Sequence, residues 1–267
     1  MKIIAVSLIV FFVSAASASA RTICTLIANA GSEEILLEQG DCRSRVTPAS
    51  TFKIPLSLMG FDAGFLTGTN APVLPFKQGY PDWGGANWTQ PTGPENWMKY
   101  SIVWYSQQIT AALGAGKIHG HLKAFDYGNA DVSGDPGKHN ALERAWLSSS
   151  LKIAPAEQVV FLRALVNRTL PVSPQAIDQT LAIVEKAKVG DGWTISGKTG
   201  AAYPRQANGK FDRAKSWGWF VGWAKKGDRT LIFARLNQDE KREKGSAGIR
   251  AKNAFLKQWP RLIATAP

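Results

Sequence analysis

The chain has 267 residues, and at 45% hydrophobic residues with ten Trp and twelve Phe it can build a large core. That length suits one domain, or one domain with two intimately packed halves. The net charge of +12 would suit nucleic acid or an anionic surface, but the Lys and Arg are dispersed and no helix-turn-helix, zinc-finger or RNA-binding signature accompanies them. A solvated basic surface is the reading, and its field also suits a small anionic substrate.

In chain order, Met1-Lys2 precedes an apolar run from Ile3 to Val13 broken only by Ser7, then small residues ending Ala18-Ser19-Ala20. A positive start, a short apolar core and an Ala-x-Ala end form the pattern of a cleaved secretory signal at residues 1–20. The run is too short for a membrane span, which needs roughly 20 apolar residues; an uncleaved anchor or a buried first strand is the alternative. Residues 21–267 are then expected to form a single catalytic domain, with no membrane contact after cleavage. Cys24–Ala28 reads as a strand, Asn29–Ser32 as a turn and Glu34–Glu38 as the returning strand. Export and this hairpin make Cys24 and Cys42, the only cysteines, a disulfide pair; two independent thiols are the alternative.

A helix is expected from Pro48 to Phe65, with Ser50 at its N-cap or in its first turn. Residues 67–94 are rich in Gly, Pro and Trp without periodicity and read as a long irregular excursion. Helices follow at Ser101–Leu113 and Lys117–Phe125, then a Gly- and Asp-rich loop at Tyr127–Asn140. Pro155–Val166 and Pro174–Ala187 read as helices with proline near the first turn. Trp193–Gly197, Trp217–Ala224 and Thr230–Leu236 read as antiparallel strands, and Ala247–Trp259 as a closing helix. Strands at both ends around a helical middle give an α/β (α+β) fold: an antiparallel sheet built from both chain ends, with an inserted helical lobe. A cleft is expected between the two.

Ser50-Thr51-Phe52-Lys53 places a hydroxyl and an amine on one helical face. Serine needs a neighbour to take its proton. Lysine can do so only if its surroundings lower its pKa, and Phe52 and Ile54-Pro55-Leu56 are apolar. Lys198-Thr199-Gly200, at the end of a strand, can offer a cation, a hydroxyl and close backbone to an anion. Ser101-Ile102-Val103 opens a helix and can pass protons if it faces Ser50 and Lys53. Alone, each triplet has an ordinary structural explanation. Their order and spacing behind an export signal parallel the triple motif of penicillin-recognising enzymes, with Ser-Ile-Val in place of Ser-Asp-Asn.

That replacement, with Tyr127-Gly128-Asn129, Ala145-Trp146-Leu147 and Gly-Trp-Phe-Val-Gly-Trp at 218–223, makes the chain resemble the class D β-lactamases, or oxacillinases, from Cys24 to near Trp259. The resemblance implies a serine β-lactamase of the bacterial periplasm that confers β-lactam resistance and takes small β-lactams as its partners. It implies that Lys53 is carboxylated by carbon dioxide, supplied as bicarbonate, and serves as base for acylation of Ser50 and for deacylation. Trp146 would steady that carbamate, and Val103 and Leu147 would screen it from water. Ser101 would pass the proton to the ring nitrogen. Lys198 and Thr199 would receive the substrate carboxylate, and the N–H groups of Ser50 and Ala201 would form the oxyanion hole. Arg250 falls where relatives place an arginine for that carboxylate, although a solvated helix arginine explains it equally well. The chain departs from relatives at Ala201-Ala202-Tyr203, which leaves substrate range open.

His119-Gly-His121 has the spacing of two zinc ligands, but Lys123 stands where a third would be expected, so no metal is expected. A penicillin-binding transpeptidase and a β-lactam sensor, which acylate without turnover, are the alternatives of shared fold. A monomer and a homodimer are equally compatible with the sequence.

Overall fold

The computed structural model describes residues 20–264; the expected signal, Ala20 apart, lies outside them. Six strands form one sheet: β1 (Arg21–Asn29), β2 (Ile35–Gly40), β3 (Lys186–Val189), β4 (Trp193–Ala202), β5 (Trp217–Lys226) and β6 (Arg229–Gln238). Their order is β2-β1-β6-β5-β4-β3, with every neighbouring pair antiparallel. The two chain ends meet where β1 pairs with β6, Leu26 opposite Ala234. Cys24 and Cys42 are joined by a disulfide across 18 residues. A closed loop of that size stabilises by about 3 kcal/mol, chiefly by restricting the unfolded chain.

The helices are α1 (Lys53–Asp62), α2 (Pro94–Tyr100), α3 (Val103–Ala124), α4 (Ala141–Arg144), α5 (Pro155–Val166), α6 (Pro174–Ile183) and α7 (Ala247–Ala264). Side chains alternate across a strand, and here the alternation separates two cores. Leu26, Trp219, Val221, Ile232 and Ala234 face the helical lobe, whereas Ile27, Phe220, Leu231 and Phe233 face α7. α7 answers with Ala247, Ala251, Phe255 and Trp259, a stripe at fourfold spacing that is buried throughout. Both faces of β5 are therefore covered, which accounts for its unbroken apolar run. Among the described residues, no helix is long and apolar enough to cross a membrane.

Four details differ from the sequence expectations. Ser101 does not open a helix: it caps the C-terminus of α2 in the left-handed conformation, φ 58°, and Ile102 precedes α3. The helix Pro94–Tyr100 was not expected, although Pro94 at its first turn marks it. The two helices expected at Ser101–Leu113 and Lys117–Phe125 form one element, kinked at Gly114 (φ 78°, ψ 156°). The helix expected to reach Ala187 stops at Ile183, because Lys186–Val189 pairs with Trp193–Ser196 as β3.

Candidate active site

Ser50 lies in a 3-10 turn, Ala49–Phe52, that runs directly into α1. Local polar contacts fix this turn. The Thr51 hydroxyl donates to the Pro48 carbonyl (2.8 Å) and accepts from Gln158 Nε2 (2.9 Å). Ala49 is held at positive φ, 51°. Ser50 is half-buried, and Lys53 is only 1% exposed.

Lys53 Nζ donates to Ser106 Oγ (2.7 Å) and to the Ile102 carbonyl (3.2 Å), and lies 5.5 Å from the centre of the Trp97 ring. Trp97 Nε1 also donates to Ser106 Oγ (2.9 Å). No carboxylate lies within ion-pair distance of Lys53 among the described residues. Burial, reinforced by the charge of Lys198, lowers the Lys53 pKa well below its ordinary value. The amine is thus biased toward its neutral form, the form that can act as base or add carbon dioxide.

Lys198, on β4, donates to Ser101 Oγ and to the Thr199 carbonyl (3.2 Å). Burial lowers its pKa to about 7; Glu185 opposes this and Lys252 adds to it. The sheet is thereby joined to the α2–α3 corner, which in turn receives Lys53 through Ile102.

Trp146 follows α4 and is buried, its ring stacked on Phe52 at 5.4 Å. Its indole N–H is buried without an acceptor. A buried donor left unpaired is costly, so its position needs a reason. The backbone around it is tightly held. Its carbonyl accepts from Thr47 Oγ1 (2.8 Å) and Ala49 N (3.0 Å). Asn129 donates to the Ser150 carbonyl (2.8 Å) and accepts from Lys152 N (2.9 Å). Gly128, φ 59°, leaves no room for a Cβ, which would fall 2.1 Å from the Lys152 carbonyl. The Tyr127 hydroxyl is buried near Thr51 and Gln158, and burial raises its pKa. The Tyr-Gly-Asn segment thus anchors the strip that carries Trp146 and the half-buried Leu147.

Gly200 brings β4 against the serine turn: a Cβ there would lie 2.9 Å from the Pro48 carbonyl and 3.2 Å from Thr51 N. On α7, a Cβ at Gly248 would lie 2.6 Å from the Gly200 carbonyl. The next residue, Ala201, is exposed. Val103 is buried at the start of α3, directly after the carbonyl that receives Lys53.

Arg250 is engaged elsewhere. It donates to the Lys244 (2.6 Å) and Gly245 (3.0 Å) carbonyls and to Asp239 Oδ2 (2.5 Å). His119 and His121 each place Nδ1 against a nearby carbonyl, Ala130 at 3.0 Å and Lys117 at 2.9 Å. Ser106 and Trp97 escaped sequence reasoning. The one available signal was a serine on an otherwise apolar first turn of α3, where a buried hydroxyl must find partners.

A family model described as the penicillin binding protein transpeptidase domain matches residues 19–259. The chain is 41% identical to β-lactamase OXA-9 of Klebsiella pneumoniae, over 90% of this chain and 88% of that one. It is 38% identical to β-lactamase OXA-1 of Escherichia coli, over 78% and 73%. The crystal structure of the OXA-427 class D β-lactamase superimposes with a TM-score of 0.84 at 47% identity, covering 91% of this chain and 99% of that one. Identity at this level, spread over nearly the whole described fold, makes the chain a member of the class D β-lactamase family.

Proposed function

We propose that the protein is an exported, periplasmic β-lactam hydrolase that confers β-lactam resistance, working through an acyl-enzyme on Ser50 with Lys53 in its carboxylated form. The observation that carries this reading is a pair of unmet groups around Phe52. Lys53, next in sequence, is buried without a counter-ion, and Trp146, stacked on that ring, has a buried indole N–H without an acceptor. A buried amine biased toward its neutral form can add carbon dioxide, and in that respect the surroundings of Lys53 fit the carbamate. Once formed, it supplies an oxygen base inside a pocket where a free lysine would be a poor one. Carbon dioxide, drawn from bicarbonate, is the only addition required, and no metal takes part.

Ser50 Oγ attacks the lactam carbonyl, and the N–H groups of Ser50 and Ala201 receive the developing oxyanion, each contributing about 3–4 kcal/mol to lowering the barrier. The base at Lys53 takes the Ser50 proton, and Ser101, which accepts from Lys198, gives its own hydroxyl proton to the lactam nitrogen as the C–N bond breaks and is resupplied by the Lys198 ammonium. Lys198, its pKa lowered to about 7 by burial, attracts the substrate carboxylate in its charged form, together with Thr199. Val103 and Leu147 keep bulk water from Lys53 until a single water is needed for deacylation.

The test is hydrolysis of a chromogenic cephalosporin by the purified protein in bicarbonate buffer, beside Ser50→Ala. Many turnovers, absent in the variant, are expected. A single stoichiometric burst with a stable adduct on Ser50 would instead make the protein a receptor or a cell-wall enzyme.

A further inference from the structure

Beyond the site, one carboxylate gathers its own neighbourhood, residues 135–149, and Arg205, 70 residues further on. Asp135 accepts from Ser149 Oγ (2.6 Å) and from Arg205 (2.7 Å), exchanges hydrogen bonds with Asn140 (2.9 and 3.2 Å), and lies 3.6 Å from Arg144 Nε. Burial pushes its pKa up, but Ser149, Asn140 and the two arginines outweigh this and hold it below the usual value. Arg205 adds a second bond, from Nε to the Ser148 carbonyl (3.0 Å), and Tyr203 N donates to Ser148 Oγ (3.1 Å). The Phe211 ring meets both guanidinium groups, 4.6 Å from that of Arg205 and 5.6 Å from that of Arg144.

The positions of these contacts give them their meaning. Tyr203 and Arg205 continue the chain beyond β4 and Ala201, while Ser148 and Ser149 continue it beyond Trp146 and Leu147. A cavity of about 570 Å³, lined by Thr47, Ser148, Tyr203 and Trp217, lies against these same segments. Serines 148–150 border that void, so polar contacts and not close packing must fix their position.

We propose that the Asp135–Arg205 clasp is a positioning device that sets the orientation of Trp146, and through it the retention of carbon dioxide on Lys53. This rests on the reading that Lys53 is carboxylated. Arg205 ties the strip carrying Trp146 to the strand extension beyond the oxyanion residue, so a change in one is felt by the other. Losing the clasp weakens carboxylation while leaving Ser50 and Lys198 in place.

The experiment compares the wild-type protein with Arg205→Ala and Asp135→Asn by ¹³C NMR of the carbamate carbon in labelled bicarbonate, with activity titrated against bicarbonate and a thermal melt of each. The expected result is a rise of roughly tenfold in the bicarbonate needed for half-maximal carbamate signal, within the usual range of coupling between sites. Arg205→Lys, which keeps the charge opposite Asp135 and loses the fork, should fall between. An unchanged bicarbonate requirement in folded variants overturns the proposal while carboxylation itself stands. A wild-type protein without a carbamate signal overturns both. Should Arg205→Ala fail to fold, Asp135→Asn, which preserves shape, decides.

Discussion

Three cations are buried in this molecule without a carboxylate in ion-pair contact among the described residues, Lys53, Lys198 and Arg235, and the first and last are treated in opposite ways. Arg235, on β6, is 4% exposed. Four side-chain oxygens receive its guanidinium: Asn237 (2.9 Å), Thr25 (2.6 Å), Thr22 (2.9 Å) and Gln258 (3.1 Å). A guanidinium cannot give up its proton in a protein, so the fold surrounds it with acceptors and keeps the charge. Lys53 has two acceptors and an aromatic face, and its surroundings favour loss of the proton. On the neighbouring Phe52 ring stacks Trp146, whose buried N–H has no acceptor. One site is complete as folded; the other is complete only when something is added.

Replacing each cation by an apolar residue breaks the comparison most sharply. Lys53→Met should reduce turnover roughly 10²–10⁴-fold, the usual worth of a positioned base, with no recovery in bicarbonate. The same change should raise Tm in bicarbonate-free buffer. Because the folded-state pKa of Lys53 is depressed, the unfolded chain binds a proton that the folded one refuses. That penalty is present below the ordinary lysine pKa of 10.5 and fades as pH rises through it. Melts at about pH 7 and about pH 10 should therefore show the gap between variant and wild type closing with alkalinity.

Trp146→Phe keeps an aromatic ring against Phe52 and removes the indole N–H together with part of the ring volume. Bicarbonate affinity should fall about 10–100-fold, the worth of a charge-assisted hydrogen bond, with a loss of Tm, from the cavity, that bicarbonate does not restore. A bicarbonate titration of initial rates reads this directly. Arg235→Met should do the reverse, costing about 3 kcal/mol through stranded oxygens while the folded fraction keeps its kcat. Denaturant unfolding beside an active-site titration checks it. The smallest effect belongs to Thr25→Val, which takes one acceptor from the guanidinium. A loss of about 1 kcal/mol is expected by the same unfolding assay; no loss would mean that the oxygen cage is redundant.

How much of this was legible depended on distance along the chain. Ser50 and Lys53 are three apart, so helical spacing alone suggests that they share a face, whereas the contacts Lys53 makes go to Ser106 and Ile102. Ser101 and Lys198 came from recognisable triplets, and their mutual hydrogen bond bears out no more than that they meet. Ser106 meets Lys53 across 53 residues, and Arg205 meets Asp135 across 70, with no local pattern to announce either. The fold shows the same division. The hairpin and α5 follow from turn residues and a proline start. The stop of α6 at Ile183 does not, since no Gly or Pro interrupts the chain until Gly190 and only pairing with β4 ends the helix. The unpaired indole of Trp146 is a property of packing, and no motif could have revealed it.

The squeeze on β4 has a consequence for how such an enzyme can diversify. With Gly200 pressed between the serine turn and Gly248, and Gly218 on the neighbouring β5 close to the Ala247 carbonyl (2.4 Å for an added Cβ), this corner of the sheet cannot accept new atoms. Natural variants with altered drug preference are therefore expected to leave these three glycines alone. Their changes should gather from Ala201 outward and in the neighbouring loops, where a larger side chain meets solvent and the machinery behind it keeps its spacing.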